Sequence, residues 1–183
     1  MSKSVSITVD IGGALALLNV TGEVMEEEAR PAAQAGAQVL YEAVQRNVAA
    51  LGRKTGKLYG SIYQKHSPER SRAGHQVYNI SWNAKKAPHG HLVEWGFIQR
   101  YRMYQTNDGR VRPLVRPGME GQRPPRRWAS RAEKDAYYVP LDGGPRQVPG
   151  KAFVRAAQSQ FPKAQAAMEA RYIEGLRRRG VIR

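Results

Sequence analysis

The spacing of hydrophobic and polar residues changes several times along the chain, and each pattern predicts a different element. Residues 4–10 alternate Val or Ile with polar residues, which predicts a strand. Residues 24–50 are rich in Ala, Glu and Gln around an apolar stripe, which predicts a long helix. Pro31 suits only the first turn of a helix, so regular structure is expected to begin near it and to end at Gly52.

Beyond Gly52 the pattern predicts a mostly antiparallel sheet. Residues 58–64 and 75–82 have the composition of strands, and the polar segment 67–74 between them predicts a hairpin turn. Residues 97–105 and 137–141 predict further strands. The order of elements predicts an α+β fold, in which the sheet packs against the long helix and a C-terminal helix.

The segment 106–150 has a different composition from the rest of the chain. Pro, Gly and Arg recur throughout it, which predicts an irregular basic excursion rather than core. Residues 151–179 return to a helical pattern, which Pro162 is expected to divide into a short and a longer helix. At 183 residues, the chain is expected to form a single domain, 1–183, from which the excursion extends.

Composition and charge narrow the classes of function. The chain has no cysteine, which excludes disulfides and thiolate chemistry, and no apolar stretch approaches the ~20 residues of a membrane span. The N-terminus lacks the apolar core of a secretion signal. The net charge of +15 is unevenly distributed, because residues 1–50 carry three basic and six acidic groups whereas residues 51–183 carry 27 and nine. This asymmetry indicates a polyanionic partner or an acidic protein surface.

Few residue arrangements in the chain predict catalysis. His89 and His91 lie two apart with Glu94 nearby, but zinc needs three or four ligands in fixed geometry, so a plain loop is the alternative to a metal site. The chain has neither a G-x-S-x-G nor an S-x-x-K motif, and residues 52–57 do not have the spacing of a phosphate loop. A hydrolase using either histidine stays an alternative, but the sequence predicts a protein that is not an enzyme and has no metal or cofactor.

Arginines interleaved with aromatic residues indicate a binding surface within the excursion. Arginine with an adjacent aromatic ring is typical of nucleic-acid contacts, which combine phosphate binding with base stacking. The alternatives are an acidic neighbouring subunit or a merely solvated arm. Four arginines near the end of the last helix have a simpler explanation, since cations favour that end of the helix dipole. The candidate partner or DNA contacts are Arg112, Arg116, Arg123, Arg126, Arg127, Trp128 and Arg131, and the helix-end arginines are Arg171, Arg177, Arg178 and Arg179.

Three separated segments of the chain resemble one family of proteins. Residues 55–62 (TGKLYGSI), 93–96 (VEWG) and 149–157 (PGKAFVRAA) are similar to the T-G-x-L-x-x-S-I, V-E-[aromatic]-G and P-F-[L/V]-R-P-A elements of the bacteriophage tail-completion, or head–tail joining, proteins. In the third segment Ala152 precedes Phe153, so the proline is displaced, and the gap between the second and third segments is longer than in the family. The matching residues are Thr55, Gly56, Leu58, Ser61, Ile62, Val93, Glu94, Trp95, Gly96, Phe153 and Arg155.

The resemblance implies a structural protein of the virion. It implies a neck subunit that completes the tail and joins it to the head, as a ring, expected to be hexameric, around the DNA channel. The implied partners are other copies of the chain, head-completion or connector proteins, tail-tube or tail-terminator proteins and packaged DNA, with assembly in the host cytoplasm and no membrane contact. A basic nucleic-acid-binding protein is the alternative. Glu94 is expected to be either half-buried and paired with an arginine or exposed at a subunit edge.

Overall fold

The computed structural model describes residues 22–52, 56–107 and 109–182. The predicted strand at 4–10 and the motif residue Thr55 lie outside the described residues. The chain divides into two compact units. Unit 1 comprises Met1–Glu94 and Lys151–Arg183, and unit 2 comprises Trp95–Gly150. Unit 2 contains the whole of the predicted excursion, 106–150.

Two long helices form the frame of unit 1. Helix α1 runs from Gly22 to Ala50, which confirms the long helix predicted at 24–50, whereas the expected start near Pro31 is wrong. Proline within a helix removes one backbone hydrogen bond, and here an apolar face on both sides of Pro31 packs against helix α4, Phe161–Arg178, which offsets that loss. The buried residues of this contact are Met25, Ala29, Ala32, Ala33, Ala37, Ala164, Met168, Tyr172 and Leu176.

An antiparallel hairpin packs against the C-terminal half of α1. Strand β1, Ile62–His66, pairs with β2, Tyr78–Trp82, with Ile62 opposite Trp82 and His66 opposite Tyr78. The hairpin prediction is therefore confirmed. The first strand begins later than predicted, because Tyr59–Ser61 forms a 3-10 turn before it. A further 3-10 turn, Pro68–Arg70, lies in the connection.

Short helical elements complete unit 1. Helix α2 spans Gly90–Trp95, its last residue being the first of unit 2, and a 3-10 helix, Arg155–Gln160, precedes α4. Pro162 lies in the first turn of α4, where its missing N–H removes no helical bond, so the predicted division is confirmed. The core shared by α1, the hairpin and the 3-10 helix includes Leu40, Val44, Val48, Ile62, Ile80, Trp82, Phe153, Val154 and Ala157.

Unit 2 is built from two small antiparallel sheets and one short helix. Strand β3, Gly96–Gln99, pairs with β6, Arg146–Pro149, and β4, Met103–Gln105, pairs with β5, Val111–Pro113. The predicted strand at 97–105 is thus two strands, since the chain changes partner between them. The predicted strand at 137–141 is wrong, because Tyr137 ends helix α3, Arg131–Tyr137, and only Tyr138 and Pro140 form isolated bridges. The sequence does not predict helix α3.

The fold is α+β, as the sequence predicts. The strands form three separate two-stranded sheets, and the two long helices lie in unit 1. Every residue described as buried lies in unit 1, including Glu94, the last residue of its first segment. No helix in the described ranges is long and apolar enough to cross a membrane.

Candidate functional site

The carboxylate of Glu94 is the centre of the motif residues in unit 1. It lies near the end of α2 and is 0% exposed. Its Oε2 accepts a hydrogen bond from the backbone N–H of Val154 at 2.9 Å, and its Oε1 accepts one from the backbone N–H of Arg155 at 3.2 Å. The Nε of Arg155 donates to the same Oε1 at 3.0 Å. Of the two expected environments for Glu94, the structure shows the one with an arginine partner, with deeper burial than expected.

Arg155 joins the second motif segment to the third. Besides its bond to the carboxylate, its Nη2 donates to the backbone carbonyl of Glu94 at 3.0 Å. The side chain of Arg155 is 40% exposed, so one partner of this ion pair faces water whereas the other is enclosed. A buried carboxylate held by two backbone N–H groups and a guanidinium has its charge compensated, which is the condition for burying it at all.

The backbone on either side of Glu94 is held against the start of the third segment. Lys151 N–H donates to Val93 O at 2.7 Å, and Ala152 N–H donates to Glu94 O at 3.2 Å. Ala152 has φ of 49°, a left-handed conformation that proline, with φ near −65°, does not adopt. A proline at position 152 would therefore be incompatible with this backbone.

The first motif segment forms the entry to the hairpin. Gly56 has φ of 69°, a left-handed conformation that glycine adopts without strain. Leu58 is partly buried against the core and Ile62 is buried. The hydroxyl of Ser61 is turned inwards and donates to Leu58 O at 2.7 Å.

Trp82 and Phe153 bring the first and third segments into the same core. Trp82 pairs with Ile62 across the hairpin and meets Phe153 edge to face, with ring centroids 5.5 Å apart. The side-chain amide of Asn47 on α1 donates to Phe153 O at 2.9 Å. Phe153 thus holds the third segment against both the hairpin and the long helix. The contribution of Asn47 was missed, because nothing local distinguishes it from other polar helix residues.

Gly96 opens unit 2 at a position that excludes any other residue. Its φ is 80°, and a Cβ there would collide with backbone atoms of Val148 and Gly150. The glycine therefore allows β3 to pair closely with β6. Trp95, which precedes it, is 47% exposed.

The histidines do not form a metal site in the structure. His89 and His91 are exposed, and His91 Nδ1 donates to Pro88 O at 2.7 Å, so that this nitrogen is not free to ligate. Glu94, the third candidate, is enclosed by Arg155 and the backbone. Within the described ranges, no group of three or more His, Cys, Asp or Glu side chains is arranged to hold a metal ion.

A depression between α1 and the start of α4 also lies in unit 1. It has a volume of about 440 Å³ and is lined by side chains that include Arg46, Asn47, Ser159 and Lys163. Its lining contains no histidine or carboxylate, so the depression offers no acid–base pair.

A second buried carboxylate, Glu28, was not predicted. It is 1% exposed on α1 and receives hydrogen bonds from Arg171 at 3.2 Å, Arg178 at 3.3 Å and Arg179 at 3.0 Å. Burial alone raises the pKa of Glu28, but the hydrogen bond from Arg179 and the charges of Arg171 and Arg178 outweigh it, so the pKa lies below 4.5. A Cβ at Gly175 would collide with this carboxylate. The helix-dipole explanation of these three arginines is therefore incomplete.

The candidate arginines of the excursion all lie in unit 2, but they do not behave alike. Arg116 Nε donates to the backbone carbonyls of Asp135 and Tyr138, and Arg131 pairs with Asp135 at 3.6 Å, so both have a role within the unit. The others have no side-chain hydrogen bond or ion pair to any described residue, and Trp128 is 79% exposed. These unpartnered arginines are Arg112, Arg123, Arg126 and Arg127.

No protein-family model, curated protein or solved structure matches this chain significantly.

Proposed function

We propose that this chain is a structural subunit of the neck of a long-tailed bacteriophage, which completes the tail and joins it to the head as a ring around the DNA channel. The observation that carries the proposal is the mutual contact of the three resembling segments. Glu94 of the second segment binds Arg155 of the third, and Phe153 of the third shares a core with Ile62 of the first. Segments that depend on one another in space support the resemblance better than three unconnected short matches do.

The contact between the second and third segments suits a docking function. Glu94 and Lys151 are the residues of unit 1 that border unit 2 in sequence. The bonds of Glu94 to Ala152, Val154 and Arg155 hold these two borders together within unit 1. A subunit that joins other proteins needs such a firmly held base for the unit that makes the contacts, because ordering a loose base during assembly costs entropy.

Exposed apolar side chains in unit 2 support self-association or docking. Large exposed hydrophobic residues are concentrated in this small unit, and contiguous exposed apolar surface is typical of interaction sites. They are Trp95, Phe97, Ile98, Met103, Tyr104, Val111 and Leu114.

The first test is the oligomeric state of the full chain without nucleic acid. We expect light scattering and electron microscopy to show closed rings of one stoichiometry, six by the family expectation. Val111→Lys should weaken the ring, whereas Ile173→Lys, which changes an exposed residue of α4, should not. A chain that stays monomeric at every concentration would count against the proposal.

The second test is made in the phage that carries the chain. A deletion of 108–146 would remove β5, α3 and the first residue of β6, which leaves β4 without a partner. Replacing residues 100–145 with the two-residue turn Asn-Gly removes β4, β5 and α3 together and keeps β3 paired with β6. This is possible because Gln99 and Arg146 lie opposite each other in that pair. We expect heads and tails that form but fail to join, and normal infectious particles would contradict the proposal.

The alternative function is a nucleic-acid-binding protein that acts alone. The net charge of +15 favours it. Ring formation in the absence of nucleic acid separates the two, since the alternative requires no closed assembly.

A further inference from the structure

The loop that precedes α3, residues 123–130, is held in a defined conformation and is named here the arginine loop. Tyr137 Oη donates to Gln122 O at 2.8 Å just before it, and Lys134 Nζ donates to Arg127 O at 2.8 Å within it. Ser130 caps α3, since its Oγ accepts from Glu133 N–H while the Glu133 carboxylate accepts from Ser130 N–H. The loop is therefore fastened to the helix at both ends.

The side chains that the arginine loop displays have no partner in the described chain. Arg123, Arg126 and Arg127 are exposed and form no side-chain hydrogen bond or ion pair with any described residue. Pro124 and Pro125, which separate the first two, restrict the backbone and so lower the entropy lost when a ligand is bound. Trp128 is 79% exposed directly beside Arg127.

The acidic groups near the arginine loop are already engaged. Glu133 caps α3, and Asp135 accepts from Tyr101 at 2.9 Å and pairs with Arg131 at 3.6 Å. Residues 121–132 contain no acid at all. The guanidinium groups of Arg123, Arg126 and Arg127 are therefore exposed and available to bind an anion of another molecule.

We propose that the arginine loop is a nucleic-acid contact site, in which Arg123, Arg126 and Arg127 bind phosphates and Trp128 stacks on an accessible base. Guanidinium groups bind phosphate in paired hydrogen bonds, and an exposed indole beside them supplies the stacking surface that single strands and strand ends use. The site does not require the ring of the proposed function, because every residue that forms it belongs to one loop of one chain.

Two observations favour nucleic acid over a protein partner. A protein interface buries its aromatic anchor among apolar neighbours, but Trp128 follows two arginines and a proline pair and has Arg131 three residues later. A second copy of the chain is a poor source of anions, since each copy carries 30 basic groups against 15 acidic ones. A nucleic acid needs only phosphate spacing and one exposed base face.

The test compares two charge-matched variants of the full chain. Arg123→Gln, Arg126→Gln and Arg127→Gln together remove three positive charges from the loop. Lys85→Gln, Lys86→Gln and Lys163→Gln remove three exposed charges from unit 1. Binding of labelled single-stranded and duplex oligonucleotides of equal length is measured across a series of salt concentrations. We expect the loop variant to lower the slope of log affinity against log salt by about 2 to 3, and the lysine variant to leave it nearly unchanged.

Trp128→Ala tests the stacking contact separately. We expect single-strand affinity to fall roughly 5- to 150-fold, with little change for a blunt duplex whose bases are enclosed. Polyglutamate of matched charge is included as competitor, and it should displace the oligonucleotide poorly. Circular dichroism and light scattering of each variant show whether folding and oligomeric state are retained, so that loss of a ring is not mistaken for loss of this site.

Three results would overturn the site. If the arginine and lysine variants lowered the slope of log affinity against log salt equally, the nucleic acid would be attracted by the net charge of the chain and not by the arginine loop. If Trp128→Ala bound single strands as tightly as the wild type, Trp128 would not stack on a base. Displacement by polyglutamate as effective as by nucleic acid would assign the loop to an acidic protein instead.

Discussion

Units 1 and 2 are stabilised in different ways. Unit 1 buries an apolar core between α1, α4 and the hairpin, and it encloses two carboxylates with bound arginines. No described residue of unit 2 is buried, so the unit depends on backbone hydrogen bonds and on half-buried rings such as Tyr101 and Tyr138, whose centroids lie 5.3 Å apart. Because apolar burial is the main favourable term in folding, unit 1 is expected to be the more stable of the two.

This difference separates a scaffold from a contact region. Exposed apolar and basic groups in a weakly buried unit cost little stability there and stay accessible to partners. The motif residues that resemble the tail-completion family lie mainly in unit 1, whereas the unpartnered arginines lie in unit 2. Substitutions that act on one unit only test whether the two units differ in this way.

Removal of the Glu94 carboxylate should have the largest effect. Glu94→Ala leaves the N–H groups of Val154 and Arg155 without their acceptor and opens a buried space, which is expected to cost about 3–5 kcal/mol of unfolding free energy. Urea unfolding followed by circular dichroism measures the loss. Glu174→Ala, an exposed change on α4, is the control and should stay within about 0.5 kcal/mol. A loss below about 1 kcal/mol for Glu94→Ala would mean that the ion pair of Glu94 and Arg155 contributes little to the stability of unit 1.

Neutralising Glu28 should have a smaller and pH-dependent effect. Glu28→Gln keeps the shape but weakens the bonds from the three arginines, which is expected to cost about 1–3 kcal/mol at neutral pH. The pKa of Glu28 is lowered in the folded state, so its stabilisation is full above 4.5 and is lost as the pH falls below that value towards the folded-state pKa. The stability difference between wild type and variant should therefore shrink in acid. If the stability difference between wild type and Glu28→Gln did not change with pH, the charge of Glu28 would not be what its three arginine partners stabilise.

Loss of one hydrogen bond in unit 2 should affect that unit alone. Tyr101→Phe removes the bond from its hydroxyl to Asp135 and is expected to cost about 1 kcal/mol of local stability. Hydrogen exchange should accelerate in α3 and β4 while the amides of α1 and α4 stay protected. Tyr104→Phe, at an exposed tyrosine of β4, is the matched control. Equal acceleration in both units would mean that they unfold together.

Excision of most of unit 2 should have the smallest effect on unit 1. Replacing residues 100–145 with Asn-Gly closes β3 and β6 into a hairpin, because Gln99 and Arg146 are paired and this dipeptide suits a two-residue turn. The unfolding free energy of unit 1 is expected to change by less than about 1 kcal/mol. An unfolded product would show that unit 1 depends on unit 2, and the scaffold interpretation would then be wrong.

Local patterns in the sequence predicted most elements of unit 1. The long helix, the hairpin and the division before α4 follow from composition, hydrophobic period and proline, which act over a few residues. Helix α3 was missed because the capping box of Ser130 and Glu133 lies in a segment otherwise dominated by Pro and Arg. The prediction of one strand at 97–105 is wrong because β3 and β4 pair with different strands, β6 and β5. Which strands pair depends on distant residues and not on the local pattern.

The sequence by itself determined the α+β class, the apolar faces of the helices and the concentration of positive charge after residue 50. Only the tertiary structure decided that Glu94 meets Arg155, 61 residues away, and that Glu28 gathers arginines about 150 residues away. Arg178 and Arg126 are the same residue type, but Arg178 binds Glu28 whereas Arg126 is exposed and unpartnered. The physical reason is that hydrophobic period is a local property, whereas charge compensation depends on which distant groups the fold brings within hydrogen-bonding distance.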